Sequence, residues 1–136
     1  MKNNNAAWLI PALIVAANAI AVLVCWHSLP ETLQAHFDLQ GNASGSMPRN
    51  TLIIYPLVGA VICAVSYGIS RLMDKRLIQK GLMILTSGIL LVIFSSTLVT
   101  LTKGTMPVFM LAEPVILLAA LSAFAVCLIR ARKKKA

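Results

Sequence analysis

The chain has 136 residues, of which 59% are hydrophobic and 12% charged, with a mean hydropathy of +0.86 and a formal net charge of +8. Soluble globular domains carry about 25% charged residues, so this composition excludes an ordinary soluble domain and places the chain in a lipid bilayer. Its apolar residues come in long continuous runs, which excludes a strand-built barrel and leaves helices.

The first run, Ala7 to Trp26, follows the polar start Met1–Asn5. It has the length of about 20 apolar residues that crosses about 30 Å of hydrocarbon. No A-x-A site follows it, so it reads as an uncleaved helix rather than a signal peptide. Cys25 lies in VLVC, where Val24 occupies the place that a lipoprotein signal gives to a small residue. A polar outer loop, residues 27–50, separates this run from a second at 52–70; a third covers 82–101 and a fourth 106–129. The basic tail, 130–136, ends the chain and is its only low-complexity stretch; no internal repeat is convincing. The predicted fold class is therefore all-α: a single polytopic membrane domain of four transmembrane helices with one structured loop between the first and second. Cys25, Cys63 and Cys127 fall in separate helices without a CxxC pair and read as packing residues.

Four spans divide the cations unequally. Lys2, Arg71, Lys75, Arg76, Lys80, Arg130, Arg132, Lys133, Lys134 and Lys135 fall on one side, and Arg49 and Lys103 on the other. The positive-inside rule then puts both termini in the cytoplasm. The tail RARKKKA reads as a stop-transfer anchor on anionic lipid rather than a nucleic-acid site. Trp8 and Trp26 bracket the first helix as interfacial anchors.

Within the loop, Leu33, Ala35, Phe37 and Leu39 alternate with Gln34, His36, Asp38 and Gln40. A period of two predicts an extended segment with one apolar face, able to lie on the helix ends. The spacing of Leu33 and Phe37 also allows a short amphipathic helix from Pro30 to Gln40, ended by Gly41. Gly41-Asn42 and Ser44-Gly45 are turn signals, and Pro48 precedes the second helix, where Asn50 or Thr51 is a candidate cap. These features describe a folded lid. Gly41 and Gly45 are expected to permit turn conformations that bulkier residues resist.

Leu29-Pro30, then His36-Phe37-Asp38, Gly41, Gly45 and a basic residue before the second span form a pattern. It resembles the domain of unknown function that opens the SdpI-type bacterial immunity proteins. Pro30, His36, Phe37, Gly41, Gly45 and Arg49 carry the resemblance, which covers about residues 8 to 72. Two departures are Gln34-Ala35, where the family often has a second proline, and Arg49, where it closes on lysine. The resemblance implies a bacterial plasma-membrane protein that protects against, or senses, a secreted toxic peptide, with no known catalytic site. Longer members carry further helices, so their signalling partners are not implied here.

His36, Asp38, His27 and Glu31 are of the residue types that suit zinc, but their spacing is not a recognised ligand pattern, and a hydrogen-bonded structural histidine is the preferred reading. No metal or cofactor is expected. Asn42-Ala43-Ser44 is a chance glycosylation match in a bacterial-looking chain.

One residue inside the membrane is costly. Glu113 lies seven residues beyond Met106, roughly 10 Å below the outer edge at 1.5 Å per residue. A carboxyl there costs about 2.5–3.5 kcal/mol on insertion scales and must face protein or water, or be neutral. Asn18, Tyr55 with Pro56, and Ser95, Ser96 and Thr97 reach similar depths on the other helices. These groups either bond to one another and hold the bundle together, or floor an outward pocket under the loop. Pro11, Pro56 and Pro114 are candidate kinks that would widen it.

The expected function is binding of an extracellular ligand, a membrane-active peptide, in an immunity or sensing role. Pro30, His36, Phe37, Asp38, Gly41, Gly45, Arg49, Asn18, Tyr55, Ser95 and Glu113 are the candidate ligand-binding residues. The alternative is a small transporter or channel-like subunit with Glu113 as its ion or proton site. A membrane enzyme using His36 and Asp38 ranks third, because no Ser-x-x-Lys, HExxH, GxSxG or phosphate-binding loop is present. The expected partners are the lipid bilayer, the peptide, and a second copy or another membrane protein.

Overall fold

The computed structural model describes residues 4–38, 40–103 and 108–133. Leu39, Thr105 and Met106, and the cations Lys2, Lys134 and Lys135, lie outside the described residues.

Four helices are long and apolar enough to cross a membrane, at Asn5–Ser28, Arg49–Arg71, Arg76–Leu101 and Met110–Lys133. Their α-helical parts are α1 (Leu9–Cys25), α2 (Ile54–Arg71), α3 (Arg76–Leu101) and α4 (Val108–Lys133). 3-10 segments at Asn4–Trp8 and Arg49–Ile53 lead into α1 and α2. Pro11 and Pro56 are each the third residue of their α-helix. There a backbone N–H has no helical partner to lose, so only Pro114 lies in a helix interior.

The helices overrun the apolar runs at their charged ends. α3 begins at Arg76 and α4 continues to Lys133, making part of the basic tail helical. Lys and Arg are good helix formers, and cations in a last turn are favoured by the helix dipole. Lys75 Nζ donates to the Ala131 carbonyl at 3.1 Å, using one of the carbonyls that a helix end leaves unpaired. Neither α1 nor α2 is capped by a side chain, so Asn50 and Thr51 do not take the capping role the sequence suggests.

α3 is the central element, and α1, α2 and α4 each pack against it. The α3–α4 pair is antiparallel and very close. A Cβ added at Gly88 would stand 2.3 Å from Ala120 Cβ, and one at Gly81 would stand 2.8 Å from Cys127 Cβ. Gly81 and Gly88 stand seven residues apart on α3 and face Cys127 and Ala120 at the same spacing on α4, and further along the pair Ser96 meets Glu113. Small residues that let two backbones approach are the usual basis of helix association in lipid. On the other flank Gly59 of α2 sits against Leu90 of α3 and Val15 of α1.

The all-helical expectation needs one amendment. The loop between α1 and α2 is an antiparallel hairpin of β1 (Thr32–Phe37) and β2 (Ala43–Pro48), with Leu33 opposite Met47, Ala35 opposite Gly45 and Phe37 opposite Ala43. The extended alternative therefore describes the loop, and the amphipathic-helix alternative does not. Leu33 and Ala35 are buried and Gln34 and His36 exposed, the alternation that a period of two dictates.

Candidate functional site

A two-stranded hairpin is marginal in water on its own and needs something to pack against. Here Leu33 joins Leu29, Val22 and Leu52 in a buried cluster, with Trp26, Met47, Tyr55 and Leu101 packed around it. The hairpin thus rests on the ends of α1, α2 and α3. Burying Leu33 alone is worth about 1.5–3 kcal/mol.

Arg49 fastens the base of this unit. Its backbone N–H donates to the Glu31 carbonyl at 2.8 Å, its Nη1 donates to the Leu29 carbonyl at 3.1 Å, and its guanidinium lies 4.9 Å from the centre of the Trp26 ring. Arg49 Nε is buried without a hydrogen-bond partner. An unmet donor costs about 1–3 kcal/mol, which the ring contact offsets in part. Beside it Glu31, Pro48 and Asn50 complete a cleft of about 270 Å³ at the hairpin end.

At the far end Asp38 closes the five-residue turn. Its carboxylate accepts from the Asn42 side-chain amide at 3.0 Å and from the backbone N–H groups of Asn42 at 2.8 Å and Gln40 at 3.0 Å. These bonds, the Asn42 side chain foremost, favour the charged form and hold the Asp38 carboxyl below its ordinary value. Gly41 has a φ of 83°, which favours glycine. Gly45 does not share that role. It lies within β2, and the space where its Cβ would be is 3.5 Å from His36 Cδ2.

His36 itself has a φ of 56°, a left-handed conformation inside a strand. Such a residue costs about 1–3 kcal/mol and persists where its surroundings fix it. Here the Ser44 hydroxyl donates to the His36 carbonyl at 2.8 Å, and the ring passes over Gly45. Phe37 is half-buried, and Pro30 is exposed ahead of β1. Pro30, His36, Phe37, Asp38, Gly41, Gly45 and Arg49 are thereby assembled in one folded element.

The intramembrane candidates are distributed differently. Ser96 Oγ donates to Glu113 Oε1 at 2.9 Å, so the half-buried carboxyl ends the small-residue seam between α3 and α4. Ser95 is buried in α3. Tyr55 belongs to the floor of the hairpin. Asn18 is only 3% exposed, and its Oδ1 has no partner among the described residues. Two clefts between helices lie toward the cationic end. One, about 350 Å³, runs between α1 and α2 past Ala12, Cys63 and Tyr67, and the other, about 270 Å³, lies between Trp8 and Lys80. Trp8 lines both; it is buried and packs edge-on to Tyr67 at 5.5 Å, so it is a core residue as much as an anchor. Among the described residues no three His, Cys, Asp or Glu side chains gather as metal ligands would.

Residues 13–60 match the profile of a domain of unknown function (DUF1648). The match takes in most of α1, the whole hairpin and the first turns of α2. No curated protein and no solved structure matches the chain.

Sequence reasoning missed the partners of Arg49 and the α3–α4 seam. Arg49 is recognisable as the basic residue before the second span, but its contacts with Leu29 and Trp26 come from twenty or more residues away. The seven-residue spacing of Gly81 and Gly88, matched by that of Ala120 and Cys127, is the signal that would have revealed the α3–α4 seam.

Proposed function

We propose that the chain is a bacterial plasma-membrane protein of the SdpI-like immunity or sensing type, whose hairpin binds a secreted membrane-active peptide. The observation that carries this reading is the hairpin's own construction: its apolar face is spent on the helix ends, and its polar face, with Gln34, His36 and Ser46, is left exposed on a fixed backbone. A surface ordered before binding avoids the entropy cost that a slack loop would meet. The unequal division of cations supports an orientation with the hairpin outside and both termini in the cytoplasm. The match over residues 13–60 supports a link between the α1–hairpin–α2 unit and a wider family. The Ser96–Glu113 bond gives the carboxyl a partner within the protein, which favours a packing role over an ion-carrying one.

The test is survival of expressing cells challenged with secreted membrane-active peptides. Wild type is compared with a Gln34→Ala/Ser46→Ala variant, which alters a cross-strand pair on the exposed face and leaves the buried face alone. Protection should fall in the variant at equal membrane abundance. Equal protection by both would reject the hairpin as the binding surface, and absence of protection by wild type would reject the immunity role.

A further inference from the structure

We propose that the cleft between the 3-10 segment Asn4–Trp8 and the first turns of α3 binds one anionic phospholipid, with its phosphate on Lys80 and an acyl chain against Trp8 and Met83. The cleft, about 270 Å³, is lined by Ala7, Trp8, Gln79, Lys80, Met83 and Ile84: an almost wholly apolar wall with one cation at its edge. Trp8 is held by its edge-on contact with Tyr67. The Gln79 amide donates to the Met73 carbonyl at 2.6 Å, so it is committed elsewhere.

The cations of this end are not equivalent. Lys75 is bonded to the Ala131 carbonyl. Arg71 donates to Asn5 Oδ1 at 3.2 Å and lies 6.0 Å from the Tyr67 ring centre. Lys80 is exposed and has no partner among the described residues. Trp8 is the second residue of the first apolar run, 7–26, and Lys80 stands two residues before the third, 82–101, so both lie within roughly 3 Å of the ends of those runs at 1.5 Å per residue. The end of an apolar run is where headgroups give way to acyl chains. A soluble anion would leave the apolar wall uncovered, and a zwitterionic lipid would bring its own cation toward Lys80. An anionic amphiphile satisfies both walls, as basic pockets between transmembrane helices do. The inference depends on neither the orientation of the chain nor the role of the hairpin.

The experiment uses the full chain in non-ionic detergent, titrated with phosphatidylglycerol or with phosphatidylcholine of the same acyl chains, and reads bound lipid by native mass spectrometry. Wild type should retain one phosphatidylglycerol in preference to phosphatidylcholine. Lys80→Gln should weaken retention about fivefold, the value of one cation near a membrane surface. Arg132→Gln, on the exposed tail, should leave it unchanged. Ala7→Phe should abolish it with Lys80 intact, and Ile84→Trp fills the cleft from the opposite wall should the first variant misfold. Equal retention of the two lipids, an equal effect of Lys80→Gln and Arg132→Gln, or full competition by inorganic phosphate would each overturn the proposal.

Discussion

Replacing Gly88 with alanine tests the α3–α4 seam most directly. The new Cβ would lie 2.3 Å from Ala120 Cβ, whereas unbonded carbons rest about 3.5–4.0 Å apart. Neither atom can rotate away, since both are fixed to helix backbone, so the helices must part by more than an ångström. Overpacking of this kind costs about 1–3 kcal/mol. Parting would also strain the Ser96–Glu113 bond, now 2.9 Å, about two turns along the seam. Ala120→Gly removes the opposing atom, so Gly88→Ala/Ala120→Gly should recover most of the loss even though Ala120→Gly alone weakens the helix by about 1 kcal/mol. The assay is reversible unfolding in mixed micelles with rising SDS fraction, followed by helical circular dichroism. Wild-type stability in Gly88→Ala, or a double variant less stable than both single ones, would refute the close approach.

Three further outcomes are expected. Because hydrogen bonds depress the Asp38 pKa, its contribution to turn order is present above the ordinary value of 3.8 and is lost as pH falls below it; protection of the Gln40 and Asn42 amides, measured against the intrinsic exchange rate at each pH, should hold down to about pH 4 and fall below, and Asp38→Asn should remove that dependence. Arg49→Ala should free the hairpin base, losing about 1.5–3 kcal/mol from a charged hydrogen bond while the lost ring contact is offset by relief of the unmet Nε donor, with faster proteolysis within residues 32–48 and a shifted Trp26 emission; Arg49→Lys should fall between, since it keeps the charge without the planar face. Glu113→Gln should retain wild-type unfolding and protection, because its carbonyl still accepts from Ser96, while Glu113→Leu should lose about 0.6 kcal/mol as hydrogen bonds between membrane helices do; loss of activity with Gln in a folded protein would assign a titrating role.

The spans were legible because an apolar run long enough to cross lipid has few other uses. β1 was legible for a related reason: Leu33 and Ala35 face the helix ends, and burial on one face writes a period of two into the sequence. β2 was not legible. Ala43–Pro48 reads ASGSMP, with only Met47 turned toward the core, and its place is fixed by backbone pairing with β1, which leaves no side-chain pattern. Ser44-Gly45 therefore looks like a turn, although the chain reverses at 38–42 and Gly45 lies in the strand. The polar layer within the membrane was legible as depth alone. Depth does not say which helices adjoin, and the central position of α3 gives Glu113 to Ser96 while Tyr55 goes to the hairpin floor.

The position of α3 also bears on what the matched segment can do alone. Residues 13–60 include both strands and most of their support, yet Leu101 packs on the hairpin cluster and Leu90 fills against Gly59, and both belong to α3. The matched unit is thus completed by a helix outside it. α4 contributes differently: its packing is chiefly the seam with α3, and among the described side chains none of α4 belongs to the hairpin cluster. α3, packed closely against α4 along the seam, gives the hairpin part of its floor at one end of the bundle. Among the described residues the seam and the hairpin are therefore joined through α3, so a substitution that separates α3 from α4 without displacing Leu101 should leave the exposed polar face unchanged.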